Sequence, residues 1–253
     1  MDLTGKTALV TGGAGGIGSA ICQKLAANGA QVIVTYNSNA AKAEALLQSL
    51  SGQGHSYFHA PNTDASKLSE LAHLIQEKYG KLDILVNNAG ITTPVPHANL
   101  DELSDEWIDH IFQTNVRGSF AMIRVCKKLL LEATRKSSLP SLVVNISSVA
   151  AVTGIGSNVA YCASKAAIDS ITRSLGRALA PQIRVVSVSP GWVLGEYTQN
   201  VDPIYLKKQE DLTPLHRLAN PDDVANAVLA LATTLTFTTG SIIPVDGGRV
   251  LGG

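Results

Sequence analysis

The chain has 253 residues, and its 20 basic and 20 acidic side chains give a formal net charge of zero. Balanced charge argues against nucleic-acid binding, which needs a basic surface, and an aromatic content of 5% is too low for stacking on single strands. Charged residues make up 16% of the chain, below the ~25% usual in soluble domains, so we expect part of the surface to be covered in an oligomer.

Short runs of Val, Ile and Leu alternate along the chain with longer helical stretches. Predicted strands cover residues 7–11, 31–36, 55–60, 82–86, 142–146, 184–188 and 241–245. Predicted helices cover residues 17–28, 40–51, 67–79, 106–132, 159–180 and 221–233. Strand alternating with helix produces right-handed crossovers, so the predicted fold class is α/β: one domain, residues 1–253, with a three-layer, doubly wound parallel sheet.

Two stretches, 92–99 and 192–218, follow neither pattern. The second is long, polar and Pro-containing, and it comes after a strand's C-terminal end, where open α/β sheets bind ligands. We therefore predict a substrate lid around 192–218, against the plainer interpretation of an ordinary surface insertion.

The cysteines and the hydropathy bear on the compartment. Cys22, Cys126 and Cys162 include no CxxC pair, which indicates neither a disulfide framework nor a zinc site. The first residues lack the basic and apolar regions of a signal peptide, and no apolar run approaches the ~18 residues of a membrane span. We expect a cytoplasmic protein that binds neither membrane nor nucleic acid.

A glycine-rich loop, residues 11–18, reads TGGAGGIG and lies between the first strand and the first helix. Glycines let the backbone approach a pyrophosphate closely, and the helix N-terminus offers free N–H groups and a positive dipole end. A glycine run alone is weak evidence, but its strand–turn–helix context favours a dinucleotide-binding site.

The spacing of this loop resembles the TGxxxGIG signature of the short-chain dehydrogenases/reductases, in their short single-domain branch. Further matches follow in the family's order: NNAG at 87–90, Asn115, Ser148, YCASK at 161–165 and PG at 190–191. The resemblance covers essentially the whole chain. Within the family, the chain is similar to 3-oxoacyl-(acyl-carrier-protein) reductase-like members. It implies a Rossmann-like sheet, hydride transfer between a nicotinamide cofactor and a small-molecule substrate, and a homotetramer, with a homodimer as the alternative.

The same resemblance implies a set of cofactor contacts. They lie in the glycine loop, after the second and third strands, in NNAG, in YCASK and after the sixth strand. The residues are Gly12, Gly15, Gly16, Ile17, Gly18, Tyr36, Asn37, Ser38, Asn62, Asn88, Ala89, Gly90, Tyr161, Lys165, Pro190, Gly191 and Val193.

Tyr161 and Lys165 are four residues apart in a predicted helix, so their side chains share a face. Reducing a ketone requires a proton for oxygen while hydride reaches carbon, and a tyrosine supplies it if its pKa falls towards neutrality. A fall of ~3 units corresponds to ~4 kcal/mol. One cation ~4 Å away supplies about that much at an effective dielectric constant of ~20. The pair therefore predicts a proton-donating tyrosine assisted by lysine.

Two further catalytic residues are implied by the resemblance. Ser148 ends the strand region and would polarise the substrate carbonyl; it is preferred to Ser147 because the family's serine lies thirteen residues before the tyrosine. Asn115 would hold a water that supplies protons to the lysine. Singly, such a serine is more often a cap and such an asparagine a local backbone binder.

The end of the second strand bears on cofactor choice. NAD-binding relatives place a carboxylate there for the ribose 2′-hydroxyl, whereas this chain has Tyr36, Asn37 and Ser38, with Lys42 as the nearest base. We predict preference for NADP(H), with NAD(H) as the alternative. Two departures from the family pattern are Asn62 at the adenine position and Gly195, where the family usually has Thr. The side-chain contact of that Thr is absent here unless Thr198 moves in.

The sequence therefore predicts an NADP(H)-preferring oxidoreductase that interconverts a ketone, of β-keto or 3-oxoacyl type by resemblance only, and a secondary alcohol. The alternatives are an NAD-dependent sugar, polyol or steroid alcohol dehydrogenase and a catalytically silent dinucleotide-binding regulator. No metal site is predicted from the histidine spacing. His97 and Trp192 are candidates for contact with substrate, against loop structure for His97 and lid packing for Trp192.

Overall fold

Seven parallel strands carry the fold, as seen in a computed structural model that describes residues 2–137, 139–196 and 198–251. Their spatial order is β3-β2-β1-β4-β5-β6-β7, so the winding direction reverses between β1 and β4. The strands are β1 (Thr7–Val10), β2 (Gln31–Tyr36), β3 (Ser56–His59), β4 (Ile84–Asn87), β5 (Ser141–Ile146), β6 (Ile183–Pro190) and β7 (Ile242–Val245).

Helices cover both faces of this sheet. They are α1 (Gly16–Ala27), α2 (Ala40–Ser49), α3 (Ala65–Tyr79), α4 (Asp105–Ile111), α5 (Ser119–Arg135), α6 (Ala150–Thr153), α7 (Val159–Ala178), α8 (Pro203–Asp211) and α9 (Pro221–Thr233). Short 3₁₀ turns lie at Leu100–Glu102, Thr198–Asn200 and Arg249–Leu251. Within the described residues no helix is both long and apolar enough to span a membrane.

Two apolar cores lie on opposite faces of the sheet because successive strand residues point to opposite sides. Val10 of β1 packs into the core under α1, α2 and α9, whereas the adjacent Leu9 packs into the core under α3 and α5. Both side chains are fully buried. Strands buried on both faces account for the nearly continuous Val, Ile and Leu of the sequence, and the predicted α/β fold class is confirmed.

The predicted helix at 106–132 is interrupted in the structure. Between α4 and α5 lies a π-helical segment, Phe112–Gly118, whose helix winds more widely than an α-helix. A 3.6-residue pattern cannot show such a local insertion, because the apolar face is restored within a turn. The π-segment contains Asn115, one of the predicted site residues. Such segments are frequent at functional sites.

The predicted irregular segment 192–218 contains a helix that the sequence reading missed. Helix α8 begins at Pro203, and the Asp202 carboxylate caps it by accepting a hydrogen bond from Ile204 N–H at 2.8 Å. Asp followed by Pro is a helix-start signal, but the weak apolar periodicity of the following residues concealed it. Tyr197 of this segment lies outside the described residues.

Candidate active site

The predicted site residues lie around one edge of the sheet, where parallel strands end together. The glycine loop follows β1, NNAG begins at the end of β4, Ser148 follows β5, and Pro190 ends β6. The reversal of strand order between β1 and β4 opens a crevice at that edge, the usual ligand position in open α/β sheets.

The glycine loop leaves the N-terminus of α1 open. Gly12 has a φ of +59°, which disfavours side chains, and its carbonyl accepts a hydrogen bond from Gly15 N–H at 3.1 Å. Gly15 is the N-cap of α1 and supplies no side-chain cap, and the first turn holds no acidic residue. A Cβ added at Gly16 would meet no atom within 4 Å. This open, uncapped helix end fits the pyrophosphate of a dinucleotide.

The NNAG segment holds this loop in place. The Asn88 amide donates to Thr11 O at 2.9 Å and to Gly12 O at 3.1 Å. Ala89 N–H donates to the Thr11 hydroxyl at 3.0 Å. Asn88, predicted as a cofactor contact, therefore has its side-chain donor committed to shaping the glycine loop.

Gly18 is enclosed by the same contacts, so Gly18→Ala is expected to lower the free energy of unfolding by about 2–4 kcal/mol and to weaken NADPH binding. An added Cβ would lie 2.5 Å from Gly12 O and 2.8 Å from Asn88 Nδ2, which forces the loop to move. Urea unfolding and NADPH fluorescence titration measure both effects. Gly16→Ala is the matched control for stability and should change it by less than ~1 kcal/mol. Equal unfolding midpoints for the two variants would contradict the expectation.

The end of β2 carries no carboxylate at its last residues. Tyr36 is half-buried against His59, with ring centroids 5.5 Å apart, while Asn37 and Ser38 are exposed. Lys42 lies in the first turn of α2, and its ammonium forms an ion pair with Glu196 of the 192–218 segment. This arrangement leaves room and donors for a 2′-phosphate, but a carboxylate competes for the nearest cation.

Asn62 has an unsatisfied buried amide. Its side chain is 7% exposed, and neither its Oδ1 nor its Nδ2 has a hydrogen-bond partner among the described residues. Buried amides without partners are rare in folded proteins and call for a ligand or water. The resemblance places the adenine here, and an amide can pair with the adenine amine and ring nitrogen.

Tyr161 and Lys165 lie together on α7. The Lys165 ammonium is 5.6 Å from the centre of the Tyr161 ring and donates to Ile146 O at 2.9 Å. Burial lowers the pKa of Lys165 to about 8, while the Asp169 carboxylate acts to raise it. The lysine thus remains largely protonated at neutral pH and places a cation beside the tyrosine ring.

Asn115 lies beside this lysine. Its Oδ1 accepts from Ile91 N–H at 2.8 Å, and its Nδ2 donates to Ile91 O at 3.0 Å. A Cβ at Gly90 would lie 3.3 Å from Asn115 Oδ1 and 3.6 Å from Lys165 Nζ. Asn115 therefore fixes the chain after NNAG close to the lysine, at a point where a larger residue would intrude.

The two serines after β5 differ in exposure. Ser147 is 3% exposed, and its hydroxyl donates to Lys165 O at 3.3 Å. Ser148 is half-buried, and its hydroxyl oxygen accepts from Ala150 N–H at 3.2 Å, which leaves its proton for another acceptor. The more accessible hydroxyl is the one predicted to contact the substrate.

The chain beyond β6 forms the remaining wall. Pro190 O accepts from Val149 N–H at 3.0 Å, Gly191 N–H donates to Val245 O at 3.1 Å, and Val193 pairs with Ala219 as an isolated bridge. Thr198 does reach Gly195: its hydroxyl accepts from Gly195 N–H and donates to Gly195 O, both at 2.9 Å. The Thr198 hydroxyl is therefore committed to the Gly195 backbone in this structure.

The two substrate-contact candidates have neighbours in the structure. The Trp192 ring lies 5.8 Å from that of Tyr205, edge to face, so it packs against α8. His97 Nε2 lies 3.1 Å from Gly156 O and joins the 92–99 loop to the chain before α7. Among the described residues no group of three or more His, Cys, Asp or Glu could hold a metal ion.

The sequence reading missed two buried polar residues on α7. Asn158 is its N-cap, with Oδ1 accepting from Tyr161 N–H at 2.7 Å and Nδ2 donating to Thr93 O at 2.7 Å. Asp169 is 2% exposed and lies one turn after Lys165. An Asn before an apolar helix is a readable cap signal, whereas a carboxylate four residues after lysine reads as an ordinary surface pair.

The chain is similar to known proteins over nearly its whole length. The family described as "Enoyl-(Acyl carrier protein) reductase" matches residues 12–249. L-xylulose reductase of Caenorhabditis elegans is 38% identical over 251 residues, 98% of this chain and 96% of that protein. The 3-oxoacyl-(acyl-carrier-protein) reductase of Staphylococcus aureus Mu50 is 34% identical, with 97% and 98% covered. The crystal structure of 3-ketoacyl-(acyl-carrier-protein) reductase from Brucella melitensis complexed with NADH superposes with a TM-score of 0.89 at 31% identity, covering 98% of this chain and 100% of that one.

Proposed function

Because this chain belongs to the short-chain dehydrogenase/reductase family of NAD(P)-dependent oxidoreductases, we propose that it reduces a β-keto or 3-oxoacyl carbonyl to a secondary alcohol with NADPH. The observation that carries the proposal is the buried Lys165 ammonium over the Tyr161 ring at the ligand edge of the sheet. The ketoacyl reductases among its relatives support the substrate class.

When bound, the cofactor would supply the hydride. The side chains of this protein protonate the substrate carbonyl oxygen and donate hydrogen bonds to it. The Tyr161 hydroxyl donates its proton to the carbonyl oxygen as negative charge develops there. Lys165 stabilises the resulting phenolate, and the Ser148 hydroxyl donates a hydrogen bond to the same oxygen. Asn115 keeps the NNAG segment beside the lysine and holds the water through which the proton is replaced.

The cofactor would lie along the residues predicted for it. The open N-terminus of α1 fits the pyrophosphate and the unsatisfied Asn62 amide fits the adenine, while Lys165 suits the nicotinamide ribose. Backbone groups of Pro190, Gly191 and Val193 are available to the carboxamide. The 192–218 segment, including α8, is the proposed substrate lid.

Cofactor preference tests the proposal directly, with nicotinamide absorbance followed for NADPH and NADH against β-keto esters, diketones, quinones and sugars. We expect β-keto substrates and NADPH to give the highest kcat/KM. A clear preference for NADH with sugars or polyols would favour the alternative dehydrogenase. A folded protein that binds NADPH and turns over nothing in the panel would favour the silent regulator.

Lys42 is expected to set part of that preference. Lys42→Ala should raise the KM for NADPH about tenfold, an effect of ~1.4 kcal/mol, and leave the KM for NADH unchanged. Glu196→Gln should lower the KM for NADPH several-fold, because the carboxylate that pairs with Lys42 is removed. The controls are Lys67→Ala and Glu70→Gln, from an exposed ion pair on α3. Parallel changes with both cofactors would refute the role.

We also propose that the protein forms a homotetramer or homodimer and is located in the cytoplasm. Phe237, fully exposed, and the partly exposed Trp107 and Phe120 are large apolar groups that a homotetramer or homodimer would cover. The free thiols of Cys22, Cys126 and Cys162 support a reducing cytoplasmic location.

A further inference from the structure

Asp169 carries a buried carboxyl that the proposed reaction does not use. It lies one helical turn after Lys165 on α7 and is 2% exposed. Neither of its carboxylate oxygens has a hydrogen-bond partner among the described residues. A buried carboxylate in this state is costly unless a nearby positive charge compensates it.

The hydroxyls that face this carboxyl have other acceptors. Ser147, after β5, donates to Lys165 O at 3.3 Å, and Ser187 of β6 shares a 2.7 Å hydrogen bond with Thr172. Burial raises the pKa of Asp169. The hydroxyls of Ser147 and Ser187 and the charges of Arg173 and Lys165 act to lower it and only partly oppose that effect.

The charged groups near Asp169 come from its own helix. Lys165 and Arg173 are the cations that act on its carboxyl. Helix α4 also contacts α7, but its ionisable side chains are exposed to water; they are Asp105, Glu106, Asp109 and His110. Two further titratable side chains lie about two turns earlier on α7: Tyr161, under the Lys165 ammonium, and Cys162.

Lys165 needs a compensating charge as well. It is 7% exposed, and no carboxylate of the described residues lies within ion-pair distance of its ammonium. Its ammonium donates a hydrogen bond to the neutral Ile146 carbonyl instead. Asp169 is the negative charge that acts on it, and that carboxylate opposes the fall in the pKa of Lys165 that burial causes.

We propose that Asp169 is a positioning residue of the Tyr161–Lys165 pair, whose buried carboxylate keeps the lysine protonated and so maintains the cation beside the tyrosine. The proposal rests on the proposed function in that it assumes this pair does the chemistry. Removing the negative charge makes Lys165 release its proton at lower pH, because only the neutral Ile146 carbonyl then offsets its burial.

The protonation of Lys165 can be measured without turnover. The protein is labelled with ¹³Cε-lysine, the Lys165 resonance is assigned with Lys165→Arg, and its titration is followed by NMR. In Asp169→Asn and Asp169→Ser we expect the midpoint to fall by at least one pH unit, because a unit charge within ~12 Å at an effective dielectric constant of ~20 contributes ~1.4 kcal/mol or more. Asp169→Glu, which keeps the charge, should have a Lys165 midpoint close to that of the wild type. Asp109→Asn, an exposed carboxylate on α4, is the matched control and should leave the midpoint in place.

The pH profile of kcat/KM gives the second readout. In Asp169→Asn the alkaline limb should move to lower pH with the Lys165 midpoint, so that activity lost at pH 7.5 is largely recovered near pH 6. A purely structural role would lower activity by the same factor at every pH, and that result would overturn the proposal.

The two proposals fail separately. A normal wild-type turnover with an unmoved Lys165 midpoint in both charge-removing variants would disprove the role of Asp169 and leave the proposed function intact. A shifted midpoint in a protein that shows no turnover across the substrate panel would support the charge relation and reject the proposed function.

Discussion

Tyr161→Phe is expected to lower kcat by about 10³-fold while NADPH still binds. The substitution removes the hydroxyl that donates the proton to the substrate oxygen and leaves the ring beside Lys165 in place. General acid catalysis contributes about 10²–10⁴-fold in enzymes, and the expected loss lies in the middle of that range. The pair is already assembled in the structure, with the ammonium 5.6 Å from the ring centre.

Steady-state kinetics and NADPH fluorescence titration separate the loss of chemistry from a loss of binding. The matched control is Tyr79→Phe, which removes a hydroxyl that donates to Gly54 O at 2.8 Å at the end of α3. That variant should lose about 1 kcal/mol of stability and keep its kcat. Turnover of Tyr161→Phe within tenfold of wild type would reject tyrosine as the proton donor.

Lys165→Met is expected to lower kcat/KM by about 10²–10³-fold, because it removes a cation worth ~3–4 kcal/mol to the tyrosine at an effective dielectric constant of ~20 and retains the apolar side-chain volume. The KM for NADPH should also rise, since the ammonium is proposed to bind the nicotinamide ribose. Lys67→Met, on the exposed face of α3, is the control for loss of a positive charge and should have no kinetic effect.

The pH dependence of the wild type provides an independent check on the lysine. Burial lowers the pKa of Lys165 to about 8, so the cation is present below that pH and is lost as the pH rises through it. The wild-type kcat/KM should therefore decline above about pH 8, and Lys165→Met should lack this limb because it has no proton to lose. If kcat/KM of Lys165→Met declined over the same pH range as that of the wild type, the decline would belong to a group other than Lys165.

Regular elements with a strong pattern were readable from the sequence. The strand at 31–36 and the helix at 221–233 have in the structure the bounds that the sequence predicted. The first is a run of β-branched residues buried on both sides, and the second starts with a capping Asn and a Pro that are local signals. The predicted α/β class, the family and its oxidoreductase activity followed from these elements and the motif order.

The irregular regions were less readable. The π-segment contains Asn115, which bonds to Ile91, 24 residues earlier, while the residues around it keep an ordinary helical pattern. Helix α8 is stabilised by contacts from the C-terminal end, where Arg249 donates to the buried Gln209 O at 3.0 Å. Contacts between residues so far apart in the chain leave no local periodic signal.

The sequence by itself determined the winding of the sheet, the glycine loop and the spacing of Tyr161 and Lys165, because these depend on local pattern and on helix geometry. Only the tertiary structure decided what surrounds the pair. It showed that Lys165 is buried and that Asp169, one helical turn later, is buried without a hydrogen-bond partner among the described residues. It also showed that the Asn62 amide is unsatisfied. Burial and charge compensation are sums over neighbours from several elements, and those neighbours are known only once the chain has folded.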